Sequence, residues 1–189
     1  MNVDDHQVVE PPEEFDRLMA VNVTGTLNVI RAFAPAMIAA GRGVFANLSS
    51  GWGRATDALV GPYCASKHAV TAINQGLRLD LLGTRVRVSL VDPGLVETDF
   101  SLVRFHGDQE RADPVYQQYP PLRPQDVAEC VIFCASRPEH VAVMDLIRES
   151  GAEGLTVAAR TAWPGSSSAT CACARSTLSL RLWWIGASW

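Results

Sequence analysis

Val86-Arg87-Val88-Ser89-Leu90-Val91, closed by Asp92-Pro93-Gly94 (residues 86–94), is the stretch on which the reading of this chain turns. A short, almost continuous run rich in β-branched and apolar residues predicts a strand buried on both faces. That is the pattern of a parallel sheet rather than of a one-sided antiparallel one. Proline brings no N–H to a ladder, so the strand is expected to stop at Val91. Immediately upstream, Pro62 stands where the first residue of a helix favours proline. Tyr63, Lys67, Val70, Ile73 and Leu77 then recur at three and four, predicting a helix from 62 to Leu82 that Gly83 stops.

Outward from this pair the same alternation repeats. Val44-Phe45-Ala46-Asn47-Leu48 predicts a second strand buried on both faces, ending in a loop at Ser49-Ser50-Gly51. Before it, Phe15, Leu18, Met19, Asn22, Val23, Thr26, Ile30 and Phe33 mark a long helix from Pro12 to about Ala40, broken by Gly41 and Gly43. Downstream, the polar residues from Glu97 to Pro121 predict an irregular excursion with some helix. Pro124-Gln125-Asp126 opens a helix to about Ala135, and Val141 to Ile147 predicts a third strand. Helix and strand in alternation with short connections give an α/β fold on a parallel sheet.

Residues 1–148 form one expected domain. Residues 149–189 lose all periodicity: Ser166-Ser167-Ser168, Cys171-Ala172-Cys173-Ala174 and Trp183-Trp184 sit among Ala, Arg and Gly. They are expected to be a tail of unassigned structure, of the kind a change of reading frame near Arg148 in a GC-rich gene would produce.

Composition narrows the function. With 48% hydrophobic and 19% charged residues and a net charge of −4, the 189 residues read as a soluble globular domain and argue against a nucleic-acid partner. Met1 to Glu14 is acidic and proline-containing, without the basic and apolar parts of a secretory signal, so a cytoplasmic location is expected. The odd, irregularly spaced Cys64, Cys130, Cys134, Cys171 and Cys173 fit reduced thiols. Cys130 and Cys134 are read as small core residues of one helix rather than a metal pair, and no metal site is expected. No uninterrupted apolar run is long enough to span a bilayer, and the Trp-rich Leu178–Trp189 is too short, so no membrane partner is expected.

Four residues carry the chemistry. Tyr63 and Lys67 are one turn apart on one helix face, and a nearby ammonium favours phenolate over phenol, whose ordinary pKa is near ~10. A tyrosine so placed passes a proton at neutral pH. Ser50 stands at the C-terminal end of a strand, where open parallel sheets hold their ligands, with a hydroxyl for a carbonyl oxygen. Asn22 interrupts an apolar stripe, and a buried amide must find partners.

In order and spacing, Asn22-Val23-Thr24-Gly25, Asn47-Leu48-Ser49-Ser50, Tyr63-Cys64-Ala65-Ser66-Lys67 and Asp92-Pro93-Gly94-Leu95-Val96-Glu97-Thr98 resemble the short-chain dehydrogenase/reductase family from about Asp4 to Val143. The resemblance implies an oxidoreductase that moves a hydride between NADP or NAD, with NADP favoured, and a secondary alcohol or ketone. Tyr63 would be the general acid/base and Ser50 the group that orients the reacting oxygen. Lys67 would tune the tyrosine and hold the nicotinamide ribose, and Asn22, in a local irregularity of its helix, would hold a relay water. Pro93, Gly94, Val96 and Thr98 would pack on the nicotinamide. Val103 to Asp108 and Pro124 to Val127 resemble the branch that oxidises 3-hydroxy acids and serine-like substrates, in which Arg104 would be a candidate for a substrate carboxylate. A homo-oligomer, dimer or tetramer, is implied as well.

The sequence contains no glycine-rich turn of the TGxxxGxG type, whose helix N-terminus receives a pyrophosphate. The expected fold is therefore the C-terminal half of a Rossmann-like, doubly wound parallel sheet, with about 80 to 90 residues of first strands and glycine-rich turn missing. It follows that the strand at Val44–Leu48 presents an open edge and that the chain alone binds cofactor weakly. The alternative function is an inactive fragment acting as an interaction or oligomerisation module.

Overall fold

A computed structural model describes residues 11–57 and 60–151. The expectations for the tail beyond Gly151, with Cys171 and Cys173, lie outside the described residues. Helix α1 (Pro12–Met19) starts on prolines and carries Glu13 and Glu14 in its first turn, where the helix dipole favours negative charge. It runs through a π-helical turn (Ala20–Thr24) into α2 (Gly25–Ala40), which stops at Gly41 in the left-handed region at φ 61°. Strand β1 (Gly43–Leu48) follows, then α3 (Gly61–Asp80), β2 (Val86–Pro93), α4 (Phe100–Arg104), α5 (Gln109–Ala112), a 3-10 segment (Asp113–Gln117), α6 (Pro124–Ala135) and β3 (Asp145–Arg148).

The strands make a parallel sheet of order β1-β2-β3, with Gly43 opposite Val86 and Leu48 opposite Val91 on one side, and Leu90 opposite Asp145 on the other. Helix α3 connects β1 to β2 and α6 lies between β2 and β3, the α/β architecture the sequence predicts. Alternation along β2 sends its side chains to two cores. Val86 and Val88 join Phe45, Ile30, Leu77 and Leu81 under α2 and α3; Val91 joins Cys130, Cys134 and Val143 under α6. Helices thus cover both faces, and Cys130 and Cys134 are core thiols.

The structure departs from the sequence reading at four points. Strand β2 reaches Pro93, because the next ladder bond comes from the Gly94 N–H to the Arg148 carbonyl (2.8 Å), so the proline's missing N–H falls where none is needed. Strand β1 is buried chiefly through Phe45, and Leu48 is 48% exposed. It is the outer strand of the described sheet, whose cover is centred on β2. Of the predicted strand Val141 to Ile147 only 145–147 is extended, β3 running on to Arg148, although Val143 is buried. Finally, the continuous helix Pro12–Ala40 is long and apolar enough, by length and composition, to cross a membrane. Asn22, Thr26, Asn28 and Arg31 interrupt its apolar residues, which is why no uninterrupted run appears in the sequence.

Candidate active site

The C-terminal ends of β1 and β2 are fixed by a polar seam that no hydrophobic pattern announces. Lys67, Thr71, Asn74 and Arg78 follow one another at four, three and four along α3, one stripe of the helix. Each engages a strand or the loop after it. Ser49 Oγ donates to the Lys67 carbonyl (3.1 Å) and meets Thr71 Oγ1 (3.2 Å); the Asn47 and Asn74 amides meet at 2.8 Å; Arg78 Nε donates to the Val88 carbonyl (3.2 Å). Buried polar groups in such a seam keep their desolvation penalty low only in one register. The residue after Ser49 is thereby delivered to the face of α3 that carries Tyr63.

That residue is Ser50. Its hydroxyl accepts the Trp52 N–H (3.2 Å) as the cap of a 3-10 turn (Gly51–Gly53) and lies close enough to the Tyr63 phenol to favour its ionised form. Lys67 lies over the Tyr63 ring, Nζ 5.6 Å from its centroid, and donates to the Leu48 carbonyl (3.3 Å) at the end of β1. Asn22, in the π-helical turn, donates from Nδ2 to Ser66 Oγ (3.0 Å), which in turn donates to the Tyr63 carbonyl (2.8 Å). The Asn22 carbonyl accepts the Thr26 hydroxyl (2.7 Å). All four candidates, Asn22, Ser50, Tyr63 and Lys67, therefore belong to one connected group. Lys67 is also the only lysine of the 189 residues.

Electrostatics correct one expectation. The Tyr63 phenol is raised above its ordinary value, chiefly by burial, with the Ser50 hydrogen bond pulling the other way. Burial prevails although the Lys67 ammonium lies over the ring, 5.6 Å from its centroid. Burial lowers the Lys67 ammonium, and the negative charge of Asp92 opposes that.

Pro93 and Gly94 end β2 beside this group, and Val96 forms an isolated parallel bridge with Leu122. Thr98 Oγ1 accepts the Phe100 N–H (3.2 Å), and the Thr98 carbonyl accepts the Tyr116 hydroxyl (2.7 Å). Phe100, two residues after Thr98, packs against the Tyr63 ring. Arg104 rests over the Phe105 ring, 5.0 Å from the guanidinium carbon to the centroid. His68 is exposed and its ring meets the Cys64 carbonyl.

Sequence reasoning missed a cluster of charges behind the seam. Asp92, 0% exposed, takes Arg54 Nε on one carboxylate oxygen at 2.6 Å, while its other oxygen, Oδ1, is buried with no hydrogen-bond partner among the described residues. Arg54 also reaches Asp145 (3.1 Å), which pairs with Arg78 (2.5 Å). The signal available in the sequence was an acid inside the apolar run of a strand, which burial makes untenable without a cation. The cluster ties the loop after Ser50 to β2, β3 and α3.

Burial alone would raise the Asp145 carboxyl, but hydrogen bonds and charges from Arg78 and Arg54 outweigh it and hold Asp145 below the ordinary 3.8. A depressed folded-state pKa means that the unfolded chain binds the proton more readily. The stabilisation is present above the unfolded value and is lost as pH falls through the folded one. Asp92, raised by burial against Arg54, works in the opposite sense. Asp145→Asn is expected to flatten the acid limb of stability below about pH 4, measured as denaturant midpoint against pH. An unchanged acid limb would remove this assignment.

Gly53 is required by close approach. A Cβ there would collide with Ser49 Oγ and stand 2.9 Å from Thr71 Oγ1 and 3.0 Å from the Lys67 carbonyl, inside the seam. Gly53→Ala is expected to cost about 1–3 kcal/mol and to lift the 51–53 turn away from α3, with loss of the Ser50–Tyr63 contact. Denaturant unfolding reads the first effect and the chemical shifts of Ser50 and Tyr63 the second.

Comparison with known proteins follows from this geometry. Residues 4–108 match the family model described as short chain dehydrogenase. An NADP-dependent 3-hydroxy acid dehydrogenase of Schizosaccharomyces pombe is 39% identical over 130 residues, 69% of this chain and 50% of that protein. Sulfoacetaldehyde reductase 2 of Chromohalobacter salexigens is 40% identical over 131 residues, 69% of this chain and 52% of the other. Among solved structures, the closed form of a serine dehydrogenase complexed with NADP+ superposes with TM-score 0.73 at 35% identity, over 75% of this chain and 58% of that one. The chain thus spans about half the length of the curated relatives it matches. These relatives are named for catalysis and lend no support to the reading as an interaction module.

Proposed function

Because the chain belongs to the short-chain dehydrogenase family, we propose that it carries the proton-transfer half of a nicotinamide-dependent oxidoreductase acting on a small secondary alcohol or ketone. The observation that carries this reading is the Lys67 ammonium against the Tyr63 ring at the strand ends, with Trp52, whose N–H caps Ser50, packed on the same ring. The relatives' names, for a 3-hydroxy acid, serine and sulfoacetaldehyde, share a small substrate bearing an acidic group. An acidic alcohol or carbonyl compound is therefore the substrate class, and NADP the favoured cofactor over NAD.

The nicotinamide end of such a cofactor fits the residues present. An ammonium has three N–H donors, so Lys67 can hold ribose hydroxyls beyond its bond to Leu48. Pro93, Gly94, Val96 and Thr98, at and just after the end of β2, are the residues that would pack on the nicotinamide. When bound, the nicotinamide supplies or accepts the hydride. Everything else falls to the chain. Ser50, its oxygen aligned by the Trp52 N–H, donates to the reacting oxygen and orients it. Tyr63 Oη gives a proton to that oxygen in reduction and takes it in oxidation. Lys67 is the route by which the phenolate that reduction leaves regains its proton, refilled through water at Asn22. Positioning and electrostatics are the protein's share of the rate. A homo-oligomer in the cytoplasm belongs to the same reading.

The test joins the chain in frame to the nucleotide-binding half of the Schizosaccharomyces pombe relative and assays NADP-dependent oxidation of 3-hydroxy acids, serine and a hydroxysulfonate. Turnover of at least one, with weak NADPH binding by the unfused chain, supports the proposal. A folded fusion that binds NADPH and turns over none of them refutes it.

A further inference from the structure

The ring of Tyr63 meets two other aromatic rings, one from the turn after β1 and one from the start of α4. Trp52, from the turn after β1, meets it edge-on, with centroids 5.9 Å apart and planes at 85°. Phe100, the first residue of α4, meets it at 5.2 Å and 62°. Aromatic pairs at such distances and angles prefer edge-to-face packing. Trp52 acts twice, since its backbone N–H also fixes Ser50 Oγ. Phe100 is anchored in turn: its N–H donates to Thr98, and the next N–H, of Ser101, donates to the Tyr116 hydroxyl (3.3 Å). Yet Phe100 is 40% exposed, more than a ring placed for core packing would be.

We propose that Trp52 and Phe100 are positioning residues for Tyr63: together they form an aromatic clamp that sets the phenol's rotamer toward Ser50 and keeps water off its ring. The polar and charged groups at the phenol are few. Ser50 lies close to it from the loop after β1, Lys67 lies over its ring from α3, and the Cys64 thiol is its chain neighbour. Asp92, from β2, acts on Lys67. Neither Trp52 nor Phe100 carries charge, so they act on the phenol through exclusion of solvent and through geometry alone. Burial raises a tyrosine pKa by disfavouring phenolate. Opening either side of the clamp therefore makes Tyr63 easier to ionise, whereas a group that touched only substrate would leave its titration unmoved.

The role in catalysis rests on the dehydrogenase reading above; the state of the phenol does not. The chain holds three tyrosines, Tyr63, Tyr116 and Tyr119. Incorporation of 3-fluorotyrosine, whose phenol ionises at lower pH, allows each to be titrated by fluorine NMR short of alkaline unfolding, and Tyr63→Phe identifies the resonance. Trp52→Ala and Phe100→Leu are expected to lower the Tyr63 midpoint toward that of free fluorotyrosine and to speed ring flipping, with Trp52→Phe restoring most of both. In the fused enzyme the same variants should move the pH profile of kcat with little change in KM. Folded variants whose Tyr63 midpoint and flip rate match the parent overturn the clamp, whether or not the fusion is active. A moved titration with no turnover in the fused parent keeps the clamp and rejects the dehydrogenase reading.

Discussion

Tyr63→Phe is expected to lower turnover by about 10²–10⁴-fold, the range contributed by a positioned acid/base, while leaving NADPH affinity and KM close to the parent's. Phenylalanine keeps the ring between Trp52 and Phe100 and removes only Oη, so packing at the site is preserved. Ser50 loses one partner but keeps the Trp52 N–H. The stability change should stay near the value of a single hydrogen bond, about 1 kcal/mol. Steady-state kinetics and NADPH fluorescence titration of the fused enzyme separate the two quantities. Turnover close to the parent's would remove Tyr63 from the proton-transfer step.

The second large effect is asymmetric. Arg54→Ala leaves the fully buried Asp92 carboxylate without its cation, and breaking a buried pair in this way costs about 3–5 kcal/mol. Arg54 is one third exposed, which places the expectation at the lower end of that range. Asp92→Asn is milder: it removes the buried charge and its unpartnered oxygen together, and Arg54 still has Asp145. Denaturant unfolding of both single variants and the double variant should give Arg54→Ala as the least stable, with the second substitution recovering part of the loss. If Asp92→Asn is the more damaging, Asp92 acts through something other than its pairing with Arg54.

What the sequence made legible follows from where its signals are local. The element order could be read because buried strands and amphipathic helices write their periods directly into residues such as Val86–Val91 and Tyr63–Leu77. The group of Asn22, Ser50, Tyr63 and Lys67 could be read because each lies inside a linked motif of fixed spacing. The seam of Lys67, Thr71, Asn74 and Arg78 could not, since a polar stripe on a helix ordinarily marks the solvent face, and only the arrival of Asn47, Ser49 and Asp145 reverses that meaning. Nor could the clamp, because Trp52 and Phe100 stand 48 positions apart and nothing local tells either ring where Tyr63 is. The sign of the Tyr63 shift failed for a similar reason. Spacing on a helix shows that a lysine is near a tyrosine, but not whether its ammonium reaches the oxygen or the ring.

The π-helical turn at Ala20–Thr24 has a consequence for length rather than for composition. Each residue of an α-helix advances it by about 100°, and a wider turn takes in one extra residue while keeping α1, which meets α3, in phase with α2, which meets β1. Deleting one residue there would return the rod to uniform pitch and close the bulge from which Asn22 reaches Ser66. Asn22 would swing away from Ser66 with its chemistry untouched. At this point the chain is more sensitive to how many residues it has than to which ones they are, and a gap of a single codon would do what few substitutions could.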